Sequence, residues 1–225
     1  KWLVLGVLAG LMMLTRWQEG FFLIIPAIAW LRDFFTASSA RDRWSLVGYG
    51  VVFLATILAV FLPQMIVWKV LYGSLFTLPV GVPKIFGFSN PLILPFLFGF
   101  QHSLLITTPI ILVSLFGIPA VWKKERFFTF LLVIALLLHI YINSSLLELG
   151  GNAFGARRFI DHVFVFTLFL AGLIHITRKK WYWPLLLTGI VALVAFNVTY
   201  WFEYSLNLIH RRLPTPPSLI IEQAS

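Results

Sequence analysis

Long apolar runs, separated by short polar or basic stretches, form the main pattern of this chain. Several runs approach or exceed the roughly 20 residues that an α-helix needs to cross a bilayer. They lack the period-two alternation of a transmembrane β-strand, and lipid leaves a spanning backbone little alternative to the helix. The pattern predicts an all-α, polytopic transmembrane helical bundle that forms one domain over residues 1–225. About seven spans are expected from bilayer thickness: Trp2–Leu14, Phe21–Leu31, Ser45–Trp68, His102–Trp122, Phe127–Asn143, Ile160–Ile176 and Trp181–Tyr204.

Residues 69–101 interrupt this pattern, because an apolar composition is broken there by glycines and by the prolines Pro79, Pro83, Pro91 and Pro95. Prolines at that density do not build one spanning helix. We expect an extracytoplasmic, interfacial outer segment that lies on the membrane surface. Two interpretations stay open: the segment lines a groove for an acyl or prenyl chain, or it only packs on the bundle. Residues 205–225 contain further prolines and are predicted to form an extracytoplasmic tail.

Composition agrees with a membrane protein. Of the 225 residues, 60% are hydrophobic and 11% are charged, which leaves too few charges to cover the surface of a water-soluble domain. The net charge of +9 raises the question of a nucleic-acid partner. However, most basic residues form short clusters between apolar runs, as topology signals do, so we expect no nucleic acid to bind. The lack of cysteine excludes disulfides and thiol catalysis.

The basic residues are divided unequally between the two predicted faces. The larger group contains Lys1, Arg32, Arg41, Arg43, Lys123, Lys124, Arg126, Arg178, Lys179 and Lys180. Cytoplasmic loops carry an excess of lysine and arginine, so this face is predicted to be cytoplasmic. The smaller group contains Arg16, Lys69, Lys84, Arg157, Arg158, Arg211 and Arg212.

The outer junction between the fifth and sixth predicted spans contains paired arginines, Arg157 and Arg158, followed by Asp161. Cations are normally depleted from outer loops, so the pair needs a reason. A planar guanidinium group suits phosphate oxygens, and we favour a lipid phosphate over simple interfacial anchoring. Asp161 lies one turn further on and is expected to orient an arginine by an ion pair. His162 lies beside Asp161, but two neighbouring residues do not supply the three or four ligands that zinc needs, so no metal site is predicted.

Other polar residues near predicted span ends are weaker candidates. Arg16 and Glu19 share a tight outer turn, and an ionisable residue at membrane depth suggests a site. Glu19 is a weak candidate for a general base, because the macrodipole of a helix start would equally explain an acid there. His102 begins a span and could hydrogen-bond a phosphate or a sugar hydroxyl, or simply cap the helix. His139 and His175 are interpreted as structural.

Several motifs follow one another along the chain: Gly10–Arg16, Phe61–Gln64 with Trp68–Ser74, Phe98–Leu105 with Thr107–Pro109, and Phe154–Phe159. In this order they resemble elements of the polytopic GT-C glycosyltransferases. The likeness is greatest to bacterial members similar to protein O-mannosyltransferases and aminoarabinose transferases. The resemblance covers most of the chain and implies that it is the C-terminal part of a larger membrane protein.

The resemblance implies a transferase that moves a sugar from a polyprenyl-phosphate carrier to an extracytoplasmic acceptor, which is a glycan, a lipid or a protein. It places the chain in the plasma (inner) membrane of a bacterium. The lipid-linked sugar is then the donor, Arg16 is placed near its phosphate, and a requirement for a divalent metal stays open. The acidic catalytic residue of this family lies in an earlier outer loop, so it is expected to be missing from this chain. Two alternatives remain: a lipid or solute transporter, and a non-catalytic membrane subunit.

Overall fold

The computed structural model describes residues 1–76, 87–99, 103–146 and 156–206. In these ranges the regular structure consists of helices, without a β-strand, so the predicted all-α class is confirmed. The described helices include four that are long and apolar enough to span a bilayer: α3 (Ala40–Tyr72), α7 (Arg126–Ser144), the segment Arg157–Thr177, and α9 (Trp183–Ser205). The chain therefore has the helices of a multi-pass membrane protein.

Helix α3 is longer than the predicted span because local capping sets its ends. The Ser39 hydroxyl accepts a hydrogen bond from the Asp42 backbone N–H at 3.1 Å, which satisfies a donor of the first turn. The helix ends at Gly73, whose φ of 77° lies in the left-handed region that glycine adopts without strain. The 33 residues between these caps extend over about 50 Å at 1.5 Å per residue, well beyond the hydrocarbon core.

The remaining predicted spans correspond to shorter helices. The first is α1 (Trp2–Thr15), and the second is divided into a 3₁₀ helix (Trp17–Leu23) and α2 (Ile24–Thr36). The described part of the fourth is divided into α5 (Ile110–Leu115) and α6 (Ile118–Lys124). Pro119 explains this break, because proline lacks the backbone N–H that a continuous helix would need and its ring clashes with the preceding turn.

The chain forms two compact units, Lys1–Pro83 and Lys84–Ser225. In unit 1, helix α1 packs on α3 through two glycines four residues apart. A Cβ on Gly6 would lie 2.8 Å from the Phe53 carbonyl oxygen, and one on Gly10 would lie 2.7 Å from the Val60 Cβ. Small residues at this spacing let two membrane helices approach closely.

In unit 2, helices α5 and α6 pack on α8 (Val163–Thr177), which continues the 3₁₀ helix Arg157–His162. Gly117 allows this contact, since a Cβ there would collide with the Phe169 backbone oxygen. The short helix α4 (Ile93–Phe98) packs on α7. A cluster of buried side chains closes the interior of this unit: Phe96, Leu104, Ile111, Leu136, Phe159 and Phe166.

Candidate functional site

Unit 2 contains a cavity of about 610 Å³ between α5, α8 and α9. Its walls are mainly apolar, with Ile111, Phe166 and Trp201 among the lining side chains. The polar groups that reach it include Arg157 and Asn197. An apolar cavity with a few polar groups is the usual form of a small-molecule or lipid site.

The 3₁₀ helix Arg157–His162 decides which arginine reaches the cavity. With three residues per turn, side chains three apart lie on the same side. Arg157 and Ile160 both line the cavity, and both are exposed. Arg158 and Asp161 share a second, half-buried side that lies outside the lining. The structure thus brings the predicted residues onto one turn but places only Arg157 on the cavity.

Arg157 makes no hydrogen bond or ion pair with the residues that the structure describes. Among these residues nothing occupies its guanidinium, which offers a ligand five N–H donors in a planar fork. Asn197 is differently engaged, because its side-chain amide donates to the Thr107 backbone oxygen at 2.8 Å and so ties α9 to the segment before α5. Among the described residues that line the cavity, Arg157 is the cationic one that can contact an anionic group.

The third side of the same 3₁₀ helix carries Phe159 and His162, which are both buried. His162 Nδ1 lies 3.1 Å from His139 Nδ1 on α7, and the two rings stack. Phe159 also stacks on His139, with ring centroids 4.4 Å apart. One Nδ1 must donate and the other accept, so the neutral pair requires opposite tautomers. The pair fixes the 3₁₀ helix, and with it Arg157, to α7.

The sequence analysis did not predict this histidine pair and interpreted His139 as structural. The available signal was one histidine near the end of a predicted span and another at the start of the next. A second missed residue is Glu203 on α9, which is only 5% exposed. Both of its carboxylate oxygens lack a hydrogen-bond partner among the described residues. The burial of Glu203 is not evident from the sequence, because this residue lies at the predicted membrane interface.

Unit 1 has a separate pocket of about 410 Å³, lined by Arg16, Gln18, Gln64 and neighbouring aromatic residues. Arg16 Nη1 lies 3.2 Å from Glu19 Oε1, and Glu19 is only 4% exposed. The two residues predicted on this turn are therefore paired. The predicted candidate His102 lies outside the described residues, as do residues 77–86, 100 and 101 of the interfacial segment and residues 207–225 of the tail.

Comparisons of the chain with protein-family models, curated proteins and solved structures found no match. The function must therefore be argued from the chemistry of these two cavities. Among the described residues, no three histidine, aspartate or glutamate side chains are grouped as metal ligands. The arrangement in unit 2 suits an amphiphilic anion, since an apolar cavity adjoins a single available guanidinium.

Proposed function

We propose that this chain is the membrane part of a GT-C-like glycosyltransferase, which moves a sugar from a polyprenyl-phosphate carrier to an extracytoplasmic acceptor. One observation carries the proposal: the available guanidinium of Arg157 lies on a mainly apolar cavity beside helices long enough to span a membrane. The resemblance of the sequence motifs to bacterial members of that family supplies the reaction.

The cavity chemistry corresponds to the two parts of a polyprenyl phosphate. Apolar walls bury hydrocarbon, which contributes roughly 25 cal/mol for each Å² removed from water. The planar fork of Arg157 can donate two parallel hydrogen bonds to phosphate oxygens. A free sugar phosphate would leave the apolar walls unused, and a neutral lipid would leave the guanidinium without a partner.

In the proposed reaction, an acceptor hydroxyl attacks the anomeric carbon of the lipid-linked sugar. The new bond joins the acceptor oxygen to that carbon, and the bond to the phosphate oxygen breaks. Arg157 stabilises the negative charge that grows on the leaving polyprenyl phosphate. The hydroxyl proton passes to a general base that is not assigned within this chain. The distribution of basic residues supports a position of Arg157 on the outer face of the membrane, and the family resemblance supports a bacterial plasma membrane.

Lipid binding tests the site directly. Wild-type protein in phosphatidylcholine nanodiscs should retain a long-chain polyprenyl phosphate in preference to the matching uncharged polyprenol. We expect Arg157→Ala to weaken this retention about 10- to 100-fold, because a hydrogen bond to a charged group contributes about 1.5–3 kcal/mol. Arg178→Ala is the matched control, since Arg178 is exposed just beyond the other end of the same helical segment. Equal retention by both variants would contradict the proposal.

Sugar transfer tests the reaction. A membrane preparation with the complete protein should transfer labelled sugar from a polyprenyl-phosphate donor, and the double variant Arg157→Ala with Arg158→Ala should lose most of this activity. Unchanged transfer by a folded double variant rejects the assignment. Donor binding without any transfer would favour a non-catalytic subunit, and movement of the lipid between leaflets would favour a transporter.

A further inference from the structure

The unit 1 pocket differs in chemistry from the cavity of unit 2. It is formed where α1 ends and where the C-terminal part of α3 passes alongside. Its lining is about equally polar and apolar, and it contains an arginine, two glutamines and three aromatic residues. This lining is complementary to a ligand that has both polar groups and apolar faces.

The electrostatics of the pocket favour a neutral ligand. Arg16 is the cation in its lining, and the carboxylate of the buried Glu19 lies 3.2 Å from the Arg16 guanidinium. The two charges oppose each other at contact distance, so the local net charge is close to zero. An anion entering the pocket would have to compete with Glu19 for Arg16, and it would meet the repulsion of that carboxylate.

Two amide side chains, Gln18 and Gln64, supply hydrogen-bonding groups to the pocket. Neither side chain makes a hydrogen bond with another described residue. An amide offers donors and acceptors together, which matches hydroxyl groups because each hydroxyl also donates and accepts. Gln64 lies on α3, one turn from Trp68, so an amide and an aromatic side chain occupy the same helix face.

Aromatic rings form part of the apolar lining of the pocket, together with aliphatic side chains such as Met13 and Leu71. Trp17 and Trp68 meet edge to face, with ring centroids 6.5 Å apart, and Phe61 meets Trp68 in the same manner at 5.6 Å. Trp68 is buried, unlike a tryptophan that serves only as an interfacial anchor. Rigid rings whose packing is already fixed offer contact area at little entropic cost.

We infer that this pocket is a binding site for a neutral saccharide, held by the amides of Gln18 and Gln64 and by the wall of Trp17 and Trp68. A sugar ring combines hydroxyl groups around its rim with apolar C–H faces, so it uses both kinds of lining. The inference does not rest on the proposed function, since it concerns another unit and a ligand without charge. It also gives Arg16 a role different from the phosphate contact implied by the family resemblance.

A glycan array tests this inference with the whole class of ligand. The wild-type chain in phosphatidylcholine nanodiscs, free of sugar detergents, is applied to printed neutral and acidic saccharides. We expect retention on at least one neutral saccharide, and Gln64→Leu should weaken it roughly tenfold through the loss of about two hydrogen bonds. Inorganic phosphate should not compete with this binding.

Matched variants separate binding from folding. Trp17→Leu should reduce retention, whereas Trp44→Leu should not, since Trp44 is 74% exposed at the start of α3 and lies outside the pocket lining. The thermal unfolding midpoint of each variant identifies any loss of fold, and Gln18→Leu then serves as the second amide variant. The inference is overturned if no neutral saccharide is retained, if acidic ones alone are retained, or if the folded glutamine variants bind like wild type. Polyprenyl phosphate retention, measured on the same nanodiscs, reports separately on unit 2.

Discussion

At the scale of single residues, the buried polar groups of unit 2 differ in whether they have hydrogen-bond partners. His139 and His162 form a hydrogen bond between their Nδ1 atoms, and the Asn143 side chain donates to the His139 backbone oxygen at 2.9 Å. Glu203 is equally buried, but its carboxylate oxygens have no hydrogen-bond partner in the described ranges. Burial of a polar group is favourable only when a partner replaces water, so opposite effects of substitution are expected at these sites.

We expect His162→Leu to lower the free energy of unfolding by roughly 1–3 kcal/mol, because it leaves His139 Nδ1 buried without its partner. Thermal unfolding of the nanodisc-embedded protein, followed by tryptophan fluorescence, measures this loss. His175→Leu is the control, since His175 is exposed on α8. If the two variants unfold at the same temperature, the histidine contact is not a stabilising one.

For Glu203→Met the expected sign is reversed. An apolar side chain of similar length removes a buried, unsatisfied carboxylate from a spanning helix, and a gain of roughly 1–3 kcal/mol is expected. The same unfolding measurement should show a higher midpoint for Glu203→Met and little change for Glu125→Met, where the glutamate is exposed. A lower midpoint for Glu203→Met would show that the carboxylate has a stabilising partner.

At the scale of elements, a helical turn separates side chains that are adjacent in the sequence. Two adjacent arginines were predicted to act together, but the 3₁₀ helix turns them to different sides, and Arg157 alone lines the cavity. Successive side chains lie about 100° apart in an α-helix and about 120° apart in a 3₁₀ helix, so either geometry turns two adjacent arginines to different sides. Of the two predicted arginines, Arg157 therefore lines the cavity and Arg158 lies outside its lining.

The contact of α1 with α3 gives a prediction about packing between elements. Gly6→Leu or Gly10→Leu should force the two helices apart and destabilise unit 1 by roughly 1–3 kcal/mol, as overpacking does. Limited proteolysis in nanodiscs should then cut between residues 1 and 76 faster than in wild type. Gly48→Leu is the control, because a Cβ at Gly48 would meet nothing within 4 Å. Equal proteolysis of all variants would mean that the glycine contact is not needed.

At the scale of the whole molecule, each of the two compact units carries a cavity with its own chemistry. The described helix α3 provides a direct test of membrane orientation, since it is long enough to span and both of its ends are described. Ser38 precedes it on the predicted cytoplasmic side, and Ser74 follows it on the predicted outer side. Both serines are exposed.

The chain contains no cysteine, so single-cysteine variants report on orientation without background. A membrane-impermeant maleimide added to intact cells should label Ser74→Cys and leave Ser38→Cys unlabelled until the membrane is permeabilised. This result follows from the excess of basic residues around Ser38. Labelling of Ser38→Cys in intact cells would show that the orientation is the reverse of the predicted one. Arg157 would then be expected on the cytoplasmic face, which contradicts the proposed outer site.

The sequence alone determined the all-α class and the approximate positions of the long helices. It could do so because hydropathy and proline content act within one segment, where residues close in sequence are also close in space. The two helices at residues 126–144 and 183–205 were predicted to within about two residues at all four ends. The same local reasoning recognised Arg157 and Arg16 as unusual, because the distribution of charge along the chain is itself a sequence property.

Tertiary structure decided which of these residues share a site. The pairing of His139 with His162, the burial of Glu203 and the pocket of Gln18 and Gln64 each depend on contacts between distant segments. Their energies come from side-chain distances of a few ångströms, and hydropathy does not encode such distances. A membrane helix can also rotate or shift along its axis without changing its hydrophobicity, so only packing determines which polar groups meet.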